Sequence, residues 1–230
     1  MSAEICPIRL GFVNCYLVKT GDGFILVDSG MRSSRAALEK ALINTGCFPG
    51  NLKLIVITHG DIDHTGNGAY LRQKYRTKIA MHRDDASMVE NGEMRPKRKV
   101  KAPFLRMMHV VMRITGATKK MTAEFDRFKP DLYLEEGQSL KEYGFDATVL
   151  HLPGHTRGSI MLLSVDGDLN SGDTLENRGR PHPAMIVADE AELAGSLERL
   201  SRLDITTVYP GHGKPFAWGQ FPKEYLKPAR

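Results

Sequence analysis

Residues 58–64 read Thr-His-Gly-Asp-Ile-Asp-His, placing four side chains able to ligate a metal, His59, Asp61, Asp63 and His64, within six positions. Imidazole and carboxylate together suit zinc, iron or manganese, and no cysteine stands close enough for a structural zinc finger. Three later segments carry the same chemistry. His155 lies in Leu152-Pro153-Gly154-His155-Thr156-Arg157-Gly158-Ser159, Asp173 in Asn170-Ser171-Gly172-Asp173-Thr174-Leu175, and His212 in Tyr209-Pro210-Gly211-His212-Gly213-Lys214-Pro215. Glycine beside each ligand lets backbone approach a crowded site. A lone loop histidine is ordinarily a polar surface residue. Four such segments in one chain point instead to a shared metal centre.

Each candidate follows a strand-like run. The apolar stretch 54–57 reads as a buried strand before His59, and 147–152, 160–165 and 205–209 precede His155, Asp173 and His212. A strand end followed by a helix start, here residues 69–74, is where side chains converge on a ligand outside a sheet. Around these runs the organisation is regular. Thr20-Gly21-Asp22-Gly23 reads as a turn between two strands, and 34–44 as a helix carrying Ala37, Leu38, Ala41 and Leu42, capped by Ser33 or Ser34. Residues 190–203 repeat the helical spacing with Leu193, Leu197 and Leu200, and 215–230 read as a surface tail.

The ordered set resembles the metallo-β-lactamase-fold hydrolases, over nearly the whole length. That family carries a His-x-His-x-Asp-His motif, a later His, a bridging Asp and a final His, matched here by His59, Asp61, Asp63, His64, His155, Asp173 and His212. Asn14-Cys15-Tyr16-Leu17-Val18 and Leu26-Val27-Asp28-Ser29-Gly30 resemble the family's opening hairpin. The resemblance implies a single α/β domain over 1–230, a four-layer αββα sandwich with two divalent ions at one edge of its sheets. One ion would take His59, Asp61 and His155, and the other Asp63, His64 and His212, with Asp173 bridging. Zinc is the metal the resemblance implies. Asp61 departs from the pattern, standing where the family has its second histidine. A third carboxylate facing the ions weakens them as Lewis acids and tilts selectivity toward manganese or iron. Asp28 falls where the family keeps a carboxylate near the metals, and is expected to orient a ligand rather than to bind. Arg178, Arg180 and His182 follow the bridging Asp173 and are candidate substrate contacts; His82 reads as structural, and His151 as orienting the 153–154 loop.

The net charge of +5 is localised. Residues 95–129 hold eleven Lys/Arg against Glu124 and Asp126, a balance of +9, and the rest of the chain carries −4. The basicity belongs to a Met-rich helical insertion, 84–131, between the strand-like 78–82 and the 132–140 segment. Pro96 and Pro103 bracket an extended basic arm, 97–101. Beyond it, 104–114 is apolar except for Arg106, His109 and Arg113, which form one helical stripe beside a face containing Met107, Met108 and Met112. A helix packed on the core, a lid over an acyl or anionic substrate, a homodimer surface and a basic contact with a membrane all fit this pattern.

No stretch of about 20 apolar residues is present to span a membrane. Cys6, Cys15 and Cys47 are scattered, and Met1-Ser2-Ala3-Glu4 lacks a secretory pattern, so the expected location is the cytoplasm. The chemistry expected is attack by a metal-bound hydroxide on a small-molecule thioester, ester or lactone, without a nucleophilic serine or cysteine, with Asp63 and Asp173 as catalytic carboxylates. Pro-Gly-His-Thr-x-Gly-Ser resembles the hydroxyacylglutathione hydrolase branch more than true β-lactamases. Two other classes compete: a metal-dependent phosphodiesterase or nuclease, against which the apolar insertion with few stacking aromatics argues, and a metal-binding domain without catalysis.

Overall fold

The computed structural model describes residues 4–92 and 98–226, apart from the side chains of Met108, His109, Thr118 and Met121. Lys97 of the expected basic arm, with Arg95 and Pro96 before it, lies outside the described residues. The chain begins with β1 (Glu4–Leu10), β2 (Val13–Thr20), β3 (Gly23–Val27), α1 (Arg35–Asn44), β4 (Leu52–Val56), α2 (Ile62–Thr65), α3 (Gly68–Tyr75), β5 (Lys78–Met81) and α4 (Ala86–Asn91). The insertion contributes β6 (Lys99–Val100), α5 (Pro103–Ile114) and α6 (Ala117–Ala123). Then come β7 (Leu132–Tyr133), β8 (Ala147–His151), β9 (Ile160–Ser164), β10 (Asp168–Gly172), β11 (Leu175–Asn177), β12 (Pro181–Pro183), β13 (Ile186–Val187), α7 (Glu190–Leu200), β14 (Thr207–Pro210) and β15 (Phe216–Ala217).

The strands form two main sheets, ordered β1-β2-β3-β4-β5-β7 and β15-β14-β10-β9-β8. Why they stack is written in their alternation. In β2, Cys15 and Leu17 join one core cluster while Tyr16 and Val18 join another; in β3, Phe24 and Leu26 part in the same way from Ile25 and Val27. A strand with both faces apolar must be covered on both sides. The first cluster lies between this sheet and the helices α1 and α3, through Leu38, Leu42, Leu71 and Tyr75. The second joins the two sheets, with Val149, Ile160 and Leu162 supplied by the other sheet. The third packs Met161, Leu169 and Val208 against Leu193, Leu197 and Leu200 of α7. Helix, sheet, sheet, helix: four layers with three apolar seams.

Two expectations are corrected, and one of the four readings of the insertion helix is set aside. Asp173 follows not the 160–165 run but a separate strand, β10, whose Asp-Leu-Asn-Ser-Gly sequence lacks strand-forming residues. Pairing on both edges, antiparallel to β9 and parallel to β14, imposes the extended conformation. Within the expected surface tail, the described residues 215–226 are packed: β15 pairs with β14, and Phe216 and Phe221 are buried. The helix at 104–114 is not packed on the core through its broad apolar face. Leu105 is buried, while Phe104, Met107, Val110, Val111 and Ile114 are exposed, Ile114 to 79%.

In the described part of the arm, Lys99 and Val100 form β6. Val100 and Lys99 pair with Ile186 and Val187 of β13, and the Lys101 amide donates to the Met185 carbonyl. Among the described residues no helix is long and apolar enough to cross a membrane.

Candidate metal centre

Strands β3 and β4 run parallel, and so do β10 and β14, with β8 in the same sense as β10 because both are antiparallel to β9. Their carboxyl ends bring Asp28, the 59–64 segment, His155, Asp173 and His212 to one edge of the sandwich. Cross-sheet hydrogen bonds fix the alignment. The Ile160 amide donates to the Thr58 carbonyl at 2.9 Å, and the Asn14 amide to the Gly211 carbonyl at 2.8 Å. Asn14 Nδ2 also donates to the Pro210 and Gly213 carbonyls, and the Tyr16 hydroxyl to Pro210. The opening hairpin thereby holds the loop that presents His212. Gly211 is required there, because a Cβ would overlap Asp173 Oδ1 and lie 2.7 Å from His64 Cε1.

All four histidines are buried and face inward the same way. Their Nδ1 atoms point outward: His64 to Asp28 Oδ2 at 2.8 Å, His155 to the Ile186 carbonyl at 2.7 Å, His212 to the Phe12 carbonyl at 2.7 Å and His59 to Thr58 Oγ1 at 3.0 Å. A neutral imidazole that donates from Nδ1 must present a lone pair at Nε2. The Nε2 atoms converge on Asp173, at 3.0 Å for His212 and 3.2 Å for His64, and at 3.9 Å for both His59 and His155. Asp63 stands 3.5 Å from His212 and 3.9 Å from His64. His59, His155 and Asp173 offer ligand atoms all within 4.8 Å of one another, and so do Asp63, His64 and His212. His59 Nε2, His64 Nε2 and Asp173 Oδ1 are buried without a hydrogen-bond partner. Buried polar atoms left open around one point fit a cation.

Asp28 orients rather than ligates. Its Oδ1 accepts from the Thr58 amide while Oδ2 faces His64, and its backbone sits at φ +61°, strained for a residue other than glycine. Burial alone would raise the Asp173 carboxyl, but the His212 and His64 imidazoles hold it well below the usual carboxylate range.

Asp61 has a different neighbourhood. It lies 3.2 Å from His155 Nε2 and 3.5 Å from His59 Nε2, but both its oxygens accept from the Arg98 guanidinium. Arg98 is almost entirely buried, and its Nη1 also stands 3.3 Å from His155 Nε2. Burial would raise the Asp61 carboxyl, and Arg98 with His155 and His59 holds it far below its ordinary value. Arg98 was hidden in sequence among ten other basic residues. Its only signal was that the carboxylate in place of a motif histidine needed a buried partner.

A second missed residue is Asp85. Its buried carboxylate accepts from the Gly60 and Gly158 amides, both at 2.8 Å, joining the loop of His59 to that of His155. The substrate candidates lie to one side. Arg178 pairs with Glu176 at 2.5 Å, Arg180 is exposed, and His182 Nδ1 faces the Pro183 carbonyl. Their hairpin, β11–β12, abuts the metal loop through the Asn177 amide and the His212 carbonyl. His82 and His151 stack face to face at 3.9 Å, and His151 Nε2 meets the Arg157 carbonyl, tying its loop as expected.

Comparison with known proteins agrees with this geometry. The chain is 25% identical to hydroxyacylglutathione hydrolase GloC of Haemophilus influenzae over 96% of this chain and 94% of that one. It is 29% identical to the bovine (Bos taurus) acyl-coenzyme A thioesterase MBLAC2 over 83% of this chain and 64% of that one. The solved structure of TTHA1623 in a di-iron-bound form is 30% identical, matches with a TM-score of 0.66, and covers 94% of this chain and 98% of that one. Since residues 8–212 match the metallo-beta-lactamase superfamily model, with the αββα layers and the His/Asp cluster in place, this chain belongs to that superfamily and is a hydrolase of its fold.

Proposed function

We propose that this chain hydrolyses a small-molecule thioester, ester or lactone with divalent ions held between Asp173 and the histidines. The observation that carries the reading is the common orientation of His59, His64, His155 and His212, each anchored at Nδ1 and open toward a shared carboxylate at Nε2. Bound there, a divalent ion lowers the pKa of water and polarises the group attacked. The chain's own residues do the rest. Asp173 bridges the two histidine sets, and Asp63, the more exposed carboxylate of the pair, orients the nucleophile and takes its proton. Carboxylate oxygens beside imidazole support manganese or iron as well as zinc, and the di-iron form of TTHA1623 speaks for iron. The substrate class follows the names of the relatives: a hydroxyacylglutathione hydrolase and an acyl-coenzyme A thioesterase both release an acyl group from a thiol carrier. The β11–β12 hairpin with Arg178, Arg180 and His182 is the wall against which an anionic carrier would lie. Unpaired Cys6, Cys15 and Cys47 support a reducing, cytoplasmic setting.

The test is a panel of acyl-glutathione, acyl-coenzyme A, lactone and phosphodiester substrates on protein loaded with manganese, iron or zinc. Thioester, ester or lactone turnover that disappears on chelation is the expected result. Turnover of the phosphodiester alone would assign the chain to nucleic-acid or phosphodiester chemistry. Full metal content with no turnover on any substrate would leave a binding domain.

A further inference from the structure

Arg98 stands against two residues of the first ligand set, Asp61 and His155. The His155 Nδ1 atom faces the Ile186 carbonyl, and its Nε2 is flanked by Asp61 Oδ2 at 3.2 Å and Arg98 Nη1 at 3.3 Å. The same guanidinium grips both oxygens of Asp61, the residue that replaces the family's second histidine. A planar two-pronged donor matches a carboxylate and does not match an imidazole, so Arg98 suits the carboxylate that stands at position 61. Arg98 is not a surface side chain that has fallen inward. It is almost wholly buried and enters from β6, which is paired to β13, the strand whose Ile186 carbonyl orients His155. Guanidinium stays protonated at all working pH values, and a divalent ion held by His155 and Asp61 would face that charge at close range. The two cannot share the position. Among the described residues no Lys or Arg pairs with Asp63 or Asp173, and His64 Nε2 and Asp173 Oδ1 lack a hydrogen-bond partner.

We propose that Arg98 is the resident cation of the first position, so that the chain binds one divalent ion tightly, at Asp63, His64 and His212 with Asp173, and a second only by displacing the guanidinium. The inference rests on the metallohydrolase reading above and concerns how many ions that centre holds. His59 Nε2, left without a partner, is the ligand that a second ion would recruit once Arg98 has moved.

The experiment counts ions and needs no substrate. Chelated protein is reloaded with manganese or zinc, freed of excess by gel filtration, and assayed for metal per chain, with affinities from calorimetric titration. Wild type is expected to hold one ion; Arg98→Met is expected to hold two, or to bind the second about tenfold more tightly or better, the scale on which groups around a metal tune its affinity. Two ions of equal affinity in the wild type would overturn the proposal, and so would Arg98→Met with unchanged stoichiometry and affinities and intact cooperative melting. If Arg98→Met fails to fold, Arg98→Gln decides, since it keeps a hydrogen-bond donor for Asp61 and removes the charge: two ions support the proposal and one ion overturns it. A wild type that binds no ion at all would instead remove the metallohydrolase reading on which the proposal rests.

Discussion

Asp173 is the residue on which the two ligand sets meet, and its removal separates metal binding from folding. It lies on a loop at the sheet edge, outside the three apolar clusters. Asp173→Ala is therefore expected to lose metal and all measurable turnover while keeping the circular dichroism spectrum and cooperative melting of the parent. Retained activity in a correctly folded variant would contradict the assignment. Asp85 makes the opposite case. It touches no ligand side chain, yet it accepts two buried amide hydrogen bonds that hold the loops of His59 and His155 together. Hydrogen bonds to a charged group contribute about 1.5–3 kcal/mol each, so Asp85→Ala is expected to cost about 3 kcal/mol or more in denaturant unfolding. Metal affinity should fall with it, because the two loops then drift independently.

At the scale of elements, α7 and α5 illustrate two ways in which helices relate to a site. Helix α7 starts at Asp189, whose carboxylate caps the Ala191 and Glu192 amides, and the backbone amides of Ala188 and Asp189 bond the Gly154 carbonyl beside His155. Losing such a cap costs about 1 kcal/mol. Asp189→Ala should therefore lower the melting temperature by about 2–4 °C, with metal stoichiometry unchanged. Helix α5 buries Leu105 but leaves most of its described apolar side chains exposed. Phe104, Met107, Val110, Val111 and Ile114 point to solvent from an insertion whose charge is strongly positive. Apolar side chains exposed together on one helix fit a contact surface, and of the lid, homodimer and membrane readings that the sequence leaves open we propose the homodimer. Light scattering should give twice the chain mass, and Ile114→Glu the single mass; a wild type that is already monomeric at high concentration would refute it.

For the whole molecule, metal and proton compete for the same atoms. Burial alone would lower the pKa of His64 and of His212. Asp173, joined by Asp28 and Asp63 at His64, raises both above the ordinary imidazole value. In the metal-free protein these are groups whose folded pKa exceeds the unfolded one. Their stabilisation is complete below the ordinary imidazole pKa of about 6.5 and fades as pH rises through the raised values. Ligation needs the neutral form, so ions replace that lost stabilisation at higher pH and are expelled as pH falls. The rise in melting temperature on adding metal is accordingly expected to be larger near pH 8 than near pH 6, for which scanning calorimetry at fixed ion concentration is the check. An equal shift at both values would show that the imidazoles do not titrate against the metal.

The ligands and the layered fold were legible along the chain because both are local signals: each ligand sits beside a glycine at the end of an apolar run, and the two-residue alternation of β2 and β3 shows that both faces are covered. Strand β10 was not legible, since its polar residues form a strand only through neighbours on both sides. The terminal stretch was misjudged for a related reason: Phe216 and Phe221 are buried in the cluster that holds Val208 and the α7 leucines, contacts that their own spacing does not show. The position of Arg98 was beyond any reading of the sequence. Eleven basic residues share one insertion, and nothing in their spacing marks which of them turns inward. Amino-acid types and spacing determined which atoms can hold a metal; only the pairing of β6 with β13 decided which cation already stands beside them. That pairing joins backbone groups more than eighty residues apart, and such contacts arise from chain topology rather than from local propensity.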